Sequence, residues 1–373
     1  MRLQLVDRDL YAICTPILWK NVRISDQGTA IARLANILPR HAQDVRRLEA
    51  TGCQVPMYNY NGKFIGPSVE HGHVVATWLP LCVGIEELEL RRPNSTQLAP
   101  LALDKLLVFE ITAFAPDYCV DEVPFVRQLS ALTSLSLVSS RDVRPSPPGI
   151  SSVVEALCAL RHLKHLELEN SLSVSDEALT MKAGEREKMP PLESLELTGS
   201  GTVLSFPILH TFVSAFARTL TSLRLAYTDV HGVELPADTA FVLPHLSSLA
   251  LGTDLPSSTL LHLFPPTTPF TFFRLNGVPG LRDHVADLLD FLRSHRATLE
   301  KIYVSEAAIG EDDDESDFLA MPSTTAVLDD SDIKEIEDCA AALGSALVVF
   351  EPEIYYDSDD DYYYDDDSLY SID

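Results

Sequence analysis

The residues whose type and spacing come closest to bond-making chemistry are His71-Gly72-His73 and the run Arg161-His162-Leu163-Lys164-His165. Imidazoles so close together could share a divalent metal, but a site also needs carboxylate or thiolate ligands, and neither run has them. The first reads as a polar loop, the second as the solvated face beside a strand. Six cysteines (Cys14, Cys53, Cys82, Cys119, Cys158 and Cys339) are scattered with no C-x-x-C pair. That pattern fits reduced, buried thiols and argues against a zinc site or a disulfide framework. Neither a Gly-rich phosphate loop nor a G-x-S-x-G elbow occurs. No catalytic residue, metal or cofactor is expected, and the chain reads as a non-enzyme.

A second set of side chains suits recognition instead. Glu87, Glu89 and Arg91; Glu110; His165, Glu167 and Glu169; Glu196; Arg224; Arg274; and Lys301 and Tyr303 sit between and beside recurring apolar residues. On a strand, those positions project away from the core face. Acidic residues dominate the earlier members and basic ones the later, with a smooth stretch of Ser248, Ala250 and Gly252 between. The expectation is a polarised groove for a partner segment of complementary charge. An ordinary solvated strand surface accounts for the same charges.

The elements that position these residues come from one repeated phrase: an apolar residue, two others, an apolar residue, one other, an apolar residue. It reads Ile85/Leu88/Leu90, a weaker Leu106/Phe109/Ile111, then Leu132/Leu135/Leu137, Leu163/Leu166/Leu168 and Leu192/Leu195/Leu197. It continues as Leu220/Leu223/Leu225, Leu246/Leu249/Leu251, Phe270/Phe273/Leu275 and Leu299/Ile302/Val304, with starts 21 to 31 residues apart. Val45 to Ala50 reads as a degenerate first copy. This period predicts an α/β leucine-rich-repeat solenoid of irregular type, with a curved parallel sheet inside and helices outside. Helices are predicted over 153–160, 210–219, 285–294 and 332–343, and a closing strand over 347–350. A polar ladder of Ser140, Ser171, Ser200, Thr228 and Asp254 follows the middle copies and suits turns whose amides need partners. The expected organisation is a small helical cap over 1–24, the solenoid over 25–310, an acidic loop over 311–330, a terminal helix and strand over 331–350, and a disordered tail over 351–373.

The formal charge of −27 is lopsided: from Glu300 onward 24 acidic residues face Lys301 and Lys334 alone. Nucleic acid and anionic membrane are therefore poor partners. With no apolar run of spanning length and no signal-like start, a cytoplasmic or nuclear location is expected. The last 19 residues hold eight Asp and six Tyr, so charge repulsion should leave them disordered as a solubilising or basic-partner-binding tail. Ser358, followed by three Asp, suits an acidophilic kinase.

Two segments carry a family resemblance. Leu166-x-Leu168-x-x-Ser171-x-x-Val174-Ser175-Asp176-Glu177-Ala178-Leu179 resembles the strand–turn–helix phrase of F-box and ribonuclease-inhibitor-like repeat proteins. Residues 3–22, including Leu5, Val6, Leu10, Tyr11, Pro16, Ile17, Leu18 and Trp19, resemble the second half of a fungal F-box and its exit segment. The opening Leu-Pro and first helix of that module are not in the sequence. The resemblance implies docking on the Skp adaptor of a cullin–RING ubiquitin ligase, with a protein substrate held on the repeats. The same eight residues also read as a cap over the open end of the solenoid, and the two roles are compatible. A different class remains open: acidic leucine-rich nuclear proteins, which chaperone or mask basic proteins such as histones, also join such repeats to an acidic tail.

Overall fold

The computed structural model of the 373-residue chain describes residues 14–24, 37, 39–50, 79–91, 104–113, 129–139, 153–169, 175–198, 203–226, 229–231, 240–252, 263–275, 285–306, 330–343 and 347–352. Each repeated phrase becomes a strand: β1 (Asn21–Ile24), β2 (Arg47–Ala50), β3 (Glu87–Arg91), β4 (Val108–Ala113), β5 (Ser134–Ser139), β6 (His165–Glu169) and β7 (Ser194–Thr198). After the short β8 (Val203–Ser205) come β9 (Ser222–Ala226), a second short strand β10 (Asp229–His231), then β11 (Ser248–Gly252), β12 (Phe272–Leu275), β13 (Lys301–Glu306) and β14 (Leu347–Pro352). All but β8 and β10 join one 12-stranded sheet whose spatial order follows the chain; β8 and β10 pair only with each other. Every pairing is parallel. The result is a solenoid-like α/β architecture in which each strand of the large sheet pairs only with its neighbours in that order.

Burial follows the phrase position by position. The first apolar residue of each copy (Val45, Ile85, Leu106, Leu132, Leu163, Leu192, Leu220, Leu246, Phe270 and Leu299) is almost wholly buried. So is the second, from Leu48 and Leu88 through Phe109, Leu135, Leu166, Leu195, Leu223, Leu249 and Phe273 to Ile302. Each such burial is worth about 1.5–3 kcal/mol. The register keeps like with like: Leu195 pairs with Leu166 on one side and Leu223 on the other.

Helices cover this apolar face. They are α1 (Val153–Ala159), α2 (Asp176–Leu179), α3 (Phe206–Ser214), α4 (Val285–Ser294) and α5 (Asp330–Ala342). Val154, Leu157, Leu179, Phe212, Phe291 and Ile336 from them share one core with the strand leucines. Ser175 caps α2, its Oγ accepting from Ala178 N at 3.2 Å, as the Ser-Asp-Glu-Ala order favours. Asp176 then accepts from Ser205 N at 2.7 Å, tying the start of α2 to the residue before α3 in the next coil. Toward the C-terminus the core turns aromatic: Phe270 stacks on Phe291 and on buried His295. Nδ1 of His295 lies 2.9 Å from Phe291 O and Nε2 lies 3.1 Å from Pro265 O, so the ring bridges α4 to the preceding coil.

A second, backbone device runs along the start of the strands. In the large sheet, the carbonyl just before each strand from β1 to β12 accepts two amides from the next coil. Lys20 O takes Arg46 N and Arg47 N at 2.9 and 3.0 Å, Arg46 O takes Glu86 N and Glu87 N, and the pattern passes through Glu86, Leu107, Thr133, Lys164, Glu193, Thr221 and Ser247 to Thr271. Hydroxyls of Thr133, Thr221, Ser247 and Thr271 add a bond to the same carbonyl of the coil before. Between β2 and β3 an arginine assists: Arg46 Nη1 donates to Gln43 O, Val45 O and Gly84 O. A Cβ at Gly84 would stand 2.0 Å from that Nη1, so glycine is what admits it.

Several expectations need correcting. Asn21–Ile24 does not belong to a separate cap; it is the edge strand, in register with β2. Trp19/Val22/Ile24 is a further copy of the phrase, with Trp19 at its first position. The helix expected over 210–219 runs from Phe206 to Ser214, because Pro207 in its first turn starts it earlier. The polar ladder at Ser140, Ser171, Ser200, Thr228 and Asp254 lies outside the described residues, as do 311–329 and the tail beyond 352.

Leu223→Ala is expected to lower unfolding free energy by about 2–5 kcal/mol. Thr221→Val, which removes only the hydroxyl bond to Glu193 O, should cost about 1 kcal/mol. Urea unfolding followed by circular dichroism distinguishes the two.

Candidate functional site: the open face of the sheet

Between the two core positions of every phrase one side chain points to the face that no described helix covers. The register aligns these into a column: Arg23, Glu49, Glu89, Glu110, Ser136, Glu167, Glu196, Arg224, Ala250, Arg274 and Tyr303. Neighbouring members are separated by the strand spacing of about 4.8 Å. The sheet therefore brings Glu89, Glu110, Glu167, Glu196, Arg224, Arg274 and Tyr303 into one line. Glu87, His165 and Lys301 fall in the adjacent column at the strand starts, and Arg91 and Glu169 in the column toward the strand ends. The side chain of Arg91 lies outside the described residues. Arg23 and Glu49 extend this line beyond the sequence expectation, through the edge strand β1 and the degenerate copy over Val45 to Ala50.

Charge along the line is sorted. From β2 to β7 it is acidic except for Ser136; from β9 to β13 it carries arginines and an aromatic. Ion pairs stitch neighbouring strands: Arg23 Nε to Glu49 at 3.0 Å, Arg47 to Glu87 at 3.4 Å and to Glu89 at 3.9 Å, and Arg224 Nη1 to Glu196 at 2.6 Å. The last sits at the junction of the acidic and basic halves. Burial pushes the Glu196 carboxyl up from its ordinary value, Arg224 pulls it down, and Glu167 and Glu169 add to the rise. Among the described residues, two polar atoms on this face are buried without a partner, Ser136 Oγ and Arg224 Nε. Ala250 points outward yet is only 6% exposed, so β11 forms a low floor between the rows of Arg224 and Arg274. Beside it Phe272 and Tyr303 hold their rings 5.0 Å apart.

At the N-terminal edge a helical turn over 14–18 leads into Trp19. Trp19 packs on the core and stacks against His41 with ring centres 4.7 Å apart, and Thr15 is buried. Ile17 and Leu18 are 70% and 53% exposed, and Pro16 is exposed beside them. Only Trp19 among these four covers core; as cap residues Pro16, Ile17 and Leu18 are corrected, because their side chains point into solvent. Leu5, Val6, Leu10, Tyr11 and Ser358 lie outside the described residues.

His162 and His165 are both exposed, and His71 and His73 lie outside the described residues. Among the described residues no group of three His, Cys, Asp or Glu side chains is placed to hold a metal. Burial pushes the Cys82 thiol up to about 11, a poor nucleophile at neutral pH. No described helix is long and apolar enough to cross a membrane.

Two measurements follow from these environments. A carboxyl raised in the folded state adds stability that is complete below its unfolded pKa and is lost as pH rises through its folded one. Glu196→Gln should therefore be no less stable than the parent at pH 7, and its relative advantage should fade as pH falls through the carboxylate range; urea midpoints across that range check it. Iodoacetamide at about pH 8 should leave Cys82 unmodified in the folded protein and alkylate it in urea, read by mass spectrometry.

No protein-family model matches the chain, and no curated protein matches it either.

Proposed function

We propose that this chain is a non-catalytic protein-recognition protein of the leucine-rich-repeat type. A partner protein lies along the open face, and the chain serves as an F-box-like substrate receptor of a cullin–RING ubiquitin ligase. The observation that carries the recognition role is the continuous register of outward side chains, acidic over one half and cationic over the other. A line of this kind suits an extended segment crossing successive strands, with charge order setting its direction. Support for the leucine-rich-repeat assignment comes from the buried apolar residue ahead of each strand and from the sequential parallel order. Support for the ligase role comes from residues 3–22 and from the exposed Pro16, Ile17 and Leu18, which offer an adaptor an apolar contact next to a rigid strand.

Because Ile17 and Leu18 touch little of the core, I17D/L18D should fold normally by circular dichroism. It should weaken binding to purified Skp adaptor by at least about tenfold, the loss of one central apolar contact. Adaptor binding that is absent in the parent, or unchanged in the variant, would overturn the ligase role. For the open face, E167K/E169K should weaken a captured partner by about tenfold or more; equal affinity would move the interface elsewhere.

The acidic row from Glu49 to Glu196 favours a second reading, a protein that masks basic partners such as histones. Affinity capture separates the two: adaptor and cullin in the eluate support the receptor, whereas histones that vanish on deletion of 351–373 support the masking role.

A further inference from the structure

The cationic half of the open face has its own geometry. Arg224 on β9 and Arg274 on β12 flank the low floor of β11, where Ser248, Ala250 and Gly252 leave little side chain above the sheet. The two arginine rows are two strand spacings apart, about 10 Å, wide enough for one extended segment between them. Lys301 is exposed at the start of β13, and the tilted Phe272–Tyr303 pair forms the side wall. Arg224 spends Nη1 on Glu196, yet its side chain stays 38% exposed. A guanidinium offers five donors in a plane, so a second carboxylate could share the fork. The floor therefore suits a segment combining carboxylates, for the arginines and lysine, with aromatic rings, for the Phe272–Tyr303 wall and for the guanidinium faces.

We infer that the occupant is this chain's own C-terminal segment, residues 353–373, laid across the cationic half of the open face. Its composition is the complement of the floor: Asp357, Asp359, Asp360 and Asp361 are bracketed by Tyr355 and Tyr356 on one side and Tyr362 to Tyr364 on the other. Its point of departure fits as well. The last strand, β14, ends at Pro352 beside Glu306 of β13, so the segment leaves the sheet at the far end of the strands from Lys301, one strand from its β13 and two from the β12 that carries Arg274. Crossing from β14 to β9 spans four strand spacings, about 19 Å. An extended chain covers that in about six residues, and 21 are available. Tethering also gives the segment a local concentration in the millimolar range, so modest contacts suffice. A segment held there covers Arg224, Arg274 and Lys301 and leaves the acidic half open. Its regulatory meaning rests on the open face being the working surface proposed above, whereas the docking itself is testable with no partner present.

Carbodiimide coupling on the unaltered full chain, read by peptide mass spectrometry, joins carboxylates to nearby amines. Two lysines precede the segment in sequence, Lys301 on the open face and Lys334 on the helical face. At about 0.05 M salt, monomeric protein should give Lys301 cross-links to residues 353–373 at least about fivefold more often than Lys334 cross-links, and about 1 M salt should abolish the preference. Arg274→Gln, a half-exposed position, should lower the Lys301 yield about threefold or more and leave Lys334 unchanged, since one docking charge is gone. Equal yields at the two lysines, a preference that survives high salt, or Lys301 cross-links confined to dimers would each overturn the assignment. These readings do not depend on whether an adaptor or a substrate binds.

Discussion

The structure depends above all on the shared carbonyl at the start of each strand. A parallel strand pair fixes spacing but tolerates sliding, and a slip of one residue would carry every side chain to the wrong face. Here each carbonyl from Lys20 to Thr271 holds two consecutive amides of the next coil. The bond pair sets where the following strand begins, and the apolar residue after the carbonyl position of each phrase drops into the core. Hydrophobic burial supplies the driving force, but it is the carbonyl ladder that makes the phrases line up instead of merely collapsing together.

Alignment on the buried side forces alignment on the open one. Because Leu195 faces Leu166 and Leu223, Glu196 must face Glu167 and Arg224. The like-charged neighbour and the burial together lift the Glu196 carboxyl, while the arginine holds it down. The junction is thus a place where the fold imposes an electrostatic cost on one side and relieves it on the other. Ala250 shows the same logic with size: a small residue in a row of long ones becomes a covered floor.

What could be read from the sequence follows from which features use side-chain identity. The three apolar positions of the phrase are legible because each must be hydrophobic, and with them came the outward residues from Glu87 to Tyr303. Trp19/Val22/Ile24 obeys the same rule yet was absorbed into a resemblance to a docking segment, which hid the edge strand. The carbonyl ladder was invisible because a carbonyl needs no particular side chain: Lys20, Glu86, Leu107 and Thr133 serve alike. The short strands β8 and β10 pair over three residues each, too few for alternation to show. The exposure of Ile17 and Leu18 was equally hidden, since two apolar residues beside a tryptophan look the same whether they cover a core or face water.

Coils that touch only their neighbours also make length a free variable. The phrase starts vary from 21 residues apart (Ile85 to Leu106) to 40 (Val45 to Ile85) without breaking register, so the crossings between strands can absorb insertions while the rungs stay put. A duplicated coil would meet the same carbonyl on one side and offer the same carbonyl on the other. Such a molecule can evolve like a ruler, gaining or losing graduations, and the order of charges along it can be rewritten one graduation at a time.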